Sequence, residues 1–338
     1  MINSGFRILS SEFPKERGIA LVMVLWVMAI LSVVAMEFCF AMRTEVNITR
    51  HYREEFHLYA LAQGGVQRGV AELIYKLDPK VRQLRKTPSQ EEVPPEKKEW
   101  VADGRPYLLP FGQETCEVRV MSEGGKININ MASESMLRRV IGNLGLEGEE
   151  RDIVVSSILD WRDTDDFYRL NGAENDYYQS LKEPYHCKNG DLDTIEELLL
   201  VRGIAPDLFY GKNGGPGLKD IFSIYAIGEQ IDINSASSPV IRGVLGVPGE
   251  ISRRIVKARE EKEFQHIQDL FQRIPEIAPF MGDAGRLIVF QSPARYYTIE
   301  ARAKTQDGSS FRGVKAIVKI DPKNKNGYKV IQWVDKIV

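Results

Sequence analysis

An uncharged run near the amino terminus constrains this chain more than any other feature. Ile19 to Met36 (IALVMVLWVMAILSVVAM) contains no ionisable side chain. At about 1.5 Å per residue, a helix of that length spans about 27 Å, close to the hydrocarbon thickness of a bilayer. Secretory signal cores are usually shorter, about 7–15 residues. Val33-Val34-Ala35 nevertheless offers a small-residue site at which cleavage would release a soluble protein. Lys15 and Arg17 sit just before the run. The positive-inside bias then places the amino terminus in the cytoplasm and everything beyond residue 42 across the membrane.

The helical pattern continues past the bilayer. Glu37, Arg43, Glu45, Arg50, Arg53, Glu54 and Glu55 alternate with Val46, Phe56, Tyr59, Ala60, Val66, Val70, Leu73 and Ile74, and no proline intervenes before Pro79. That spacing predicts an amphipathic helix, with Gly64, Gly65 and Gly69 expected to weaken it locally. A helix apolar at one end and amphipathic at the other suits a subunit that packs into a filament.

Net charge is −2 over 338 residues, which gives no general attraction to nucleic acid. The average hides an acidic centre: residues 127–290 hold 18 Lys/Arg and 27 Asp/Glu, a balance of 18 − 27 = −9. Cys39, Cys116 and Cys187 make no disulfide framework. Three packed thiols are one reading; a Cys116–Cys187 bridge in an oxidising compartment is the other. His51, His57, His186 and His266 form no zinc spacing, and neither a nucleophile elbow nor a phosphate loop occurs. Nothing in the chain argues for an enzyme.

The centre is duplicated. Residues 127–133 (ININMAS) match 231–237 (IDINSAS), Leu144–Glu149 matches Leu245–Glu250, and Ile195–Leu199 matches Ile267–Phe271. Three ordered matches predict two copies of one helical module, each starting at Asn-x-Ala-Ser. The unit is similar to SAM-like or helix-hairpin-helix modules, which often grip DNA phosphates. Arg253, Arg254, Lys257 and Arg259 supply a local basic cluster, but Glu260, Glu261 and Glu263 follow, and Val247 replaces a hairpin glycine. The expectation is therefore protein contact and no nucleic acid, with a membrane-tethered, competence-type DNA receptor as the alternative. Strands are expected at Tyr107–Phe111 and Thr115–Met121 before the repeats, and at Tyr296–Ala303, Phe311–Ile320 and Lys329–Val334 after them. Strands on both sides of a helical block imply a domain inserted into one antiparallel sheet. Residues 86–100 read as an exposed polar loop.

The first copy carries an insertion of about 29 residues, the difference between the Glu149–Ile195 and Glu250–Ile267 separations. It runs roughly from Arg162 to Gly190 and contains Asp163, Asp165, Asp166, Glu174 and Asp176, with Asp160, Asp191 and Asp193 at its edges. Oxygen ligands this dense, with Asn171-Gly172 to turn the chain, suit Ca²⁺ better than a transition metal. A solvated acidic loop is the plainer reading.

Lys15-Glu16-Arg17-Gly18-Ile19-Ala20-Leu21 resembles a type IV prepilin leader. The resemblance implies removal of residues 1–18 by a prepilin peptidase, a mature chain starting at Ile19, and methylation. Most of that superfamily has Glu at mature position five; here the position is Met23. A missing Glu together with a large helical insertion resembles the minor pseudopilin K family of type II secretion. So do Asp160-Trp161-Arg162-Asp163-Thr164-Asp165 and Asn171-Gly172-Ala173-Glu174-Asn175-Asp176-Tyr177-Tyr178.

That family implies calcium held by Asp163, Asp165, Glu174 and Asp176, with Asp191 and Asp193 as weaker candidates, and Asn175 standing where an acid is expected. It also implies a tip subunit, with Met23 as determinant, in the bacterial inner membrane with its soluble part periplasmic. Its partners would be the minor pseudopilins I and J, the rest of the pseudopilus and the peptidase. The expected fold is α+β: a leader over 1–18, a helix over 19–78 spanning the membrane at about 19–42, and a pilin-type sheet from 79–126 and 291–338. Between the sheet portions lies a helical domain over 127–290, with modules at 127–205 and 231–290.

Overall fold

A computed structural model describes residues 17–77, 100–112, 114–213, 215–321 and 323–335. Most of the leader and most of the polar loop lie outside the described residues. Helix α1 runs from Arg17 to Leu77, and the chain divides into two compact units at His57/Leu58. In the first unit the side chains from Ile19 to Met42 are all exposed in the lone chain. Among the described residues this helix alone is long and apolar enough to cross a membrane, with a mean hydropathy of 2.8 over an 18-residue window.

In the second unit, Leu58, Ala62, Val66, Val70 and Leu73 form a buried stripe at helical spacing. The stripe lies on a five-stranded antiparallel sheet: β1 (Asp103–Phe111), β2 (Glu114–Ser122), β3 (Tyr296–Lys304), β4 (Phe311–Ile320) and β5 (Tyr328–Val334), in that spatial order. Alternate residues point inward, because a strand repeats every two residues. Cys116, Val118 and Val120 on β2 therefore share the core with Ile299, Ala301 and Ala303 on β3 and with Val314, Ala316 and Val318 on β4. The helix glycines have a role that propensity does not reveal. A Cβ on Gly65 would lie 2.7 Å from Cys116 Sγ and 2.9 Å from Val118 Cγ2, whereas one on Gly64 would meet nothing within 4 Å. Gly65 and Gly69 let helix and sheet approach closely.

Strands β2 and β3 are neighbours, with Cys116 opposite Ala303 and Val118 opposite Ala301. Everything between them leaves the sheet and returns beside the point of departure, as expected for an inserted domain. The inserted domain repeats itself in detail. Ile127–Asn128 pairs in parallel with Phe222–Ser223, and Ile231–Asp232 with Ile288–Val289, so each module opens and closes on its own two-residue ladder. Ser133 caps helix α2 (Glu134–Asn143) by accepting from Met136 N, and Ser237 caps the corresponding helix Ser238–Leu245 through Val240 N. The Asn130 amide donates to and accepts from the Leu192 backbone; Asn234 does the same with Phe264.

Each module also has an arginine clamp. The Arg162 guanidinium donates to the Ile129 and Ala132 carbonyls, and that of Arg259 donates to those of Ile233 and Ala236. Both modules share one continuous core, and Asn143 Nδ2 donates across it to Gly243 O at 2.9 Å. Buried polar contacts lie where this domain leaves and meets the sheet. Glu123 accepts from Thr298 Oγ1 at 2.6 Å and pairs with Lys126, and Asp103 on β1 holds Arg105 while facing Arg259 at 3.9 Å.

Candidate metal centre

The acidic insertion begins on the last turn of helix α3 (Gly148–Arg162). Asp160 lies on that turn and Asp163, three positions on, is the residue that ends the helix. The chain then loops out and returns at Asn171, whose φ of 69° is the left-handed turn that Asn tolerates best among residues with a side chain. Gly172 follows, pressed on the carboxylate: a Cβ there would lie 1.8 Å from Asp160 Oδ2. Two residues on, Glu174 stands at the start of the short helix Asn175–Gln179. Ligand oxygens of Asp160, Asp163 and Glu174 all lie within 4.8 Å of one another.

Asp160 is 0% exposed and accepts from Arg169 N at 3.1 Å and Arg169 Nη1 at 2.7 Å. The same Nη1 reaches Asp163 Oδ2 at 2.5 Å. Oδ1 of Asp163 and both carboxylate oxygens of Glu174 are buried without a hydrogen-bond partner. Glu174 is 1% exposed. Burial, with the charges of Asp160, Asp163 and Asp166 adding to it and the nearby Cys187 thiol opposing it, pushes its carboxyl up to about 7. Buried oxygens without donors are costly unless a cation or proton satisfies them. Three carboxylates at this separation, with oxygens as the only donor type, fit a hard divalent ion such as calcium.

The structure thus brings Asp163 and Glu174 together and adds Asp160, which the sequence had placed only at the edge. The i,i+3 spacing on a helix end was the available signal. The other expected ligands turn elsewhere. Asp165, beyond the helix end, is exposed and caps Phe167 N at 2.9 Å. Asp176 points along its own helix to Tyr177 N, Asp193 is held by Lys188 at 2.5 Å, and Asp191 is exposed. Asp166 accepts from the side-chain amides of Asn189 and Asn175, which hold its carboxyl below the usual range. Cys116 and Cys187 are free and sit in different cores, one under the sheet and one in the helical domain. The basic cluster loses its shape as well: Arg259 is buried and Arg254 pairs with Glu276 at 2.6 Å.

Comparison with known proteins matches residues 118–210, which include this centre, to the family model "Type II secretion system (T2SS), protein K". Residues 227–280, the second module, match a helix-hairpin-helix motif. The type II secretion system protein K of Pseudomonas aeruginosa is 24% identical over 306 residues, covering 86% of each chain. That of Pectobacterium carotovorum is 27% identical over 215 residues, and the putative one of Escherichia coli K12 is 26% identical over 205. Each of these two alignments covers 58% of this chain and 60% of the relative. The fold matches a crystal structure of the GspK–GspI–GspJ complex from the enterotoxigenic E. coli type 2 secretion system with a TM-score of 0.58 at 14% identity, covering 86% of this chain and 99% of that one.

An antiparallel sheet with a helical domain inserted between neighbouring strands is the fold this chain shares with that GspK structure. The K-type match over the first module narrows it further. Residues 118–210 are thus similar to the type II secretion system protein K family.

Proposed function

We propose that this chain is a minor pseudopilin that caps the tip of a type II secretion pseudopilus and helps start its assembly, working as a structural subunit with the minor pseudopilins I and J. The observation that carries this reading is the helical domain inserted between β2 and β3, whose first module matches the K family model. Met23 agrees with it. A carboxylate buried in a filament needs a cationic partner, and an apolar side chain at mature position five makes no such demand on a subunit above. In this account the soluble part is periplasmic and the amino terminus cytoplasmic. Gold labelling of assembled filaments is expected to find this subunit at one end only; labels along the shaft would overturn the tip assignment. The intact mass of the membrane-extracted chain should fall by residues 1–18 only when a prepilin peptidase is present. An end after Ala35 would mean ordinary secretion instead.

The helix-hairpin-helix match keeps the DNA-receptor alternative testable. No binding of duplex DNA by the extracted protein at low salt removes it; salt-dependent micromolar binding would favour it.

Asp160, Asp163 and Glu174 would hold a calcium ion, whose role is to neutralise three converging carboxylates and pin the loop. Calcium is expected to raise the Tm, and the Asp163→Asn, Glu174→Gln double variant to abolish the rise. Equal melting in calcium and in chelator would remove the metal reading. The effect has a pH signature. Glu174 titrates higher folded than unfolded, so without metal its ionisation destabilises the fold as pH rises from about 5 to about 7. A bound cation removes that cost. The calcium-induced rise should therefore be larger at pH 7 than at pH 5; a rise independent of pH would exclude Glu174 as a ligand.

A further inference from the structure

We propose that Arg169 is a resident counter-ion of the acidic centre, which a divalent cation must displace in order to bind. This inference rests on the metal reading above. One atom carries it: Arg169 Nη1 lies 2.7 Å from Asp160 Oδ1 and 2.5 Å from Asp163 Oδ2, bridging two of the three carboxylates. Glu174, the third, receives no such contact, and its two oxygens are buried and unpartnered. The arginine sits on the loop that joins the two ends of the site. Its backbone N–H donates to Asp160 and its carbonyl accepts from Gly172 N at 2.8 Å. The backbone thus keeps the loop in place whichever cation serves the carboxylates.

A guanidinium and a divalent ion cannot both sit against Asp160 and Asp163. Both are cations, and in a partly buried site their repulsion is only weakly screened. The side chain has a way out, since it is already 42% exposed. Binding is then an exchange in which Arg169 swings into solvent and the ion gains the oxygens it leaves, together with those of Glu174. The exchange has two consequences. Without metal, Arg169 prevents the carboxylates from forcing the loop open. With metal, the work of displacing it weakens the apparent affinity.

Two measurements on the full-length, detergent-extracted protein test this. In the first, calcium binding is followed by calorimetry in wild type, Arg169→Gln and Arg169→Lys. Arg169→Gln is expected to bind at least tenfold more tightly while melting lower than wild type in chelator, with Arg169→Lys between the two in affinity. A merely structural arginine would instead lower stability and affinity together. In the second, phenylglyoxal modification of Arg169 in the unaltered protein is read by peptide mass. It should proceed several-fold faster in calcium than in chelator, and this measurement holds even if Arg169→Gln fails to fold. Calcium binding by wild type with equal affinity in the variants, or with unchanged labelling of Arg169, would overturn the counter-ion role alone. Absence of calcium binding in wild type and variants alike would overturn the metal reading with it. Binding seen only after Arg169 is replaced would support the exchange.

Discussion

Arg259→Ala is expected to destabilise the folded protein by about 3–5 kcal/mol, the cost of breaking a buried charge network by removing one partner. Arg259 is 3% exposed. It donates to Ile233 O at 2.7 Å and Ala236 O at 2.5 Å, and it faces the buried Asp103 carboxylate at 3.9 Å. Alanine leaves two carbonyls without donors, opens a cavity, and leaves Asp103 to Arg105 alone. In a unit of this size the loss corresponds to a fall in Tm of about 10 °C. Arg253→Ala, six residues earlier and exposed, should change stability by less than about 0.5 kcal/mol. Equal thermal melting of the two variants would refute the clamp, and would restore Arg259 to the surface cluster that suggested DNA contact.

Adjacent glycines in α1 should respond with opposite signs. Gly65→Val would place a Cβ 2.7 Å from Cys116 Sγ and 2.9 Å from Val118 Cγ2. Helix and sheet would have to separate, at a cost of about 1–3 kcal/mol or more. Gly64 faces open space, so Gly64→Ala should gain about 0.5–1 kcal/mol, the ordinary helix preference for alanine over glycine. Urea unfolding of both variants decides it. A stabilising Gly65→Val would mean that the helix does not rest on β2 and β3 in this way.

Much of the architecture was readable from local pattern alone. An uncharged run as long as a bilayer is thick predicts its helix, and the Asp307-Gly308 and Asn326-Gly327 turn signals bounded the strand found at Phe311–Ile320. The duplication showed because each copy keeps its own cap, turn and third element. These features are legible because hydrophobic periodicity and capping act over a few neighbouring residues.

What escaped depends on distant parts of the chain. Arg162 and Arg259 play one role in the two modules, yet they are 97 positions apart while the matched openings Ile127 and Ile231 differ by 104, so simple matching does not align them. Gly65 reads as a helix weakness until β2 lies against it. The acidic centre is the clearest case. Asp163, Asp165, Glu174 and Asp176 are equivalent by composition, but the path of residues 164–174 turns Asp165 and Asp176 outward and brings Glu174 back to Asp160. Residue type and spacing alone determined that this segment is an acidic, turn-rich insertion. Only the tertiary structure decided which carboxylates meet, because convergence is a property of the loop's path and of the core that buries its ends.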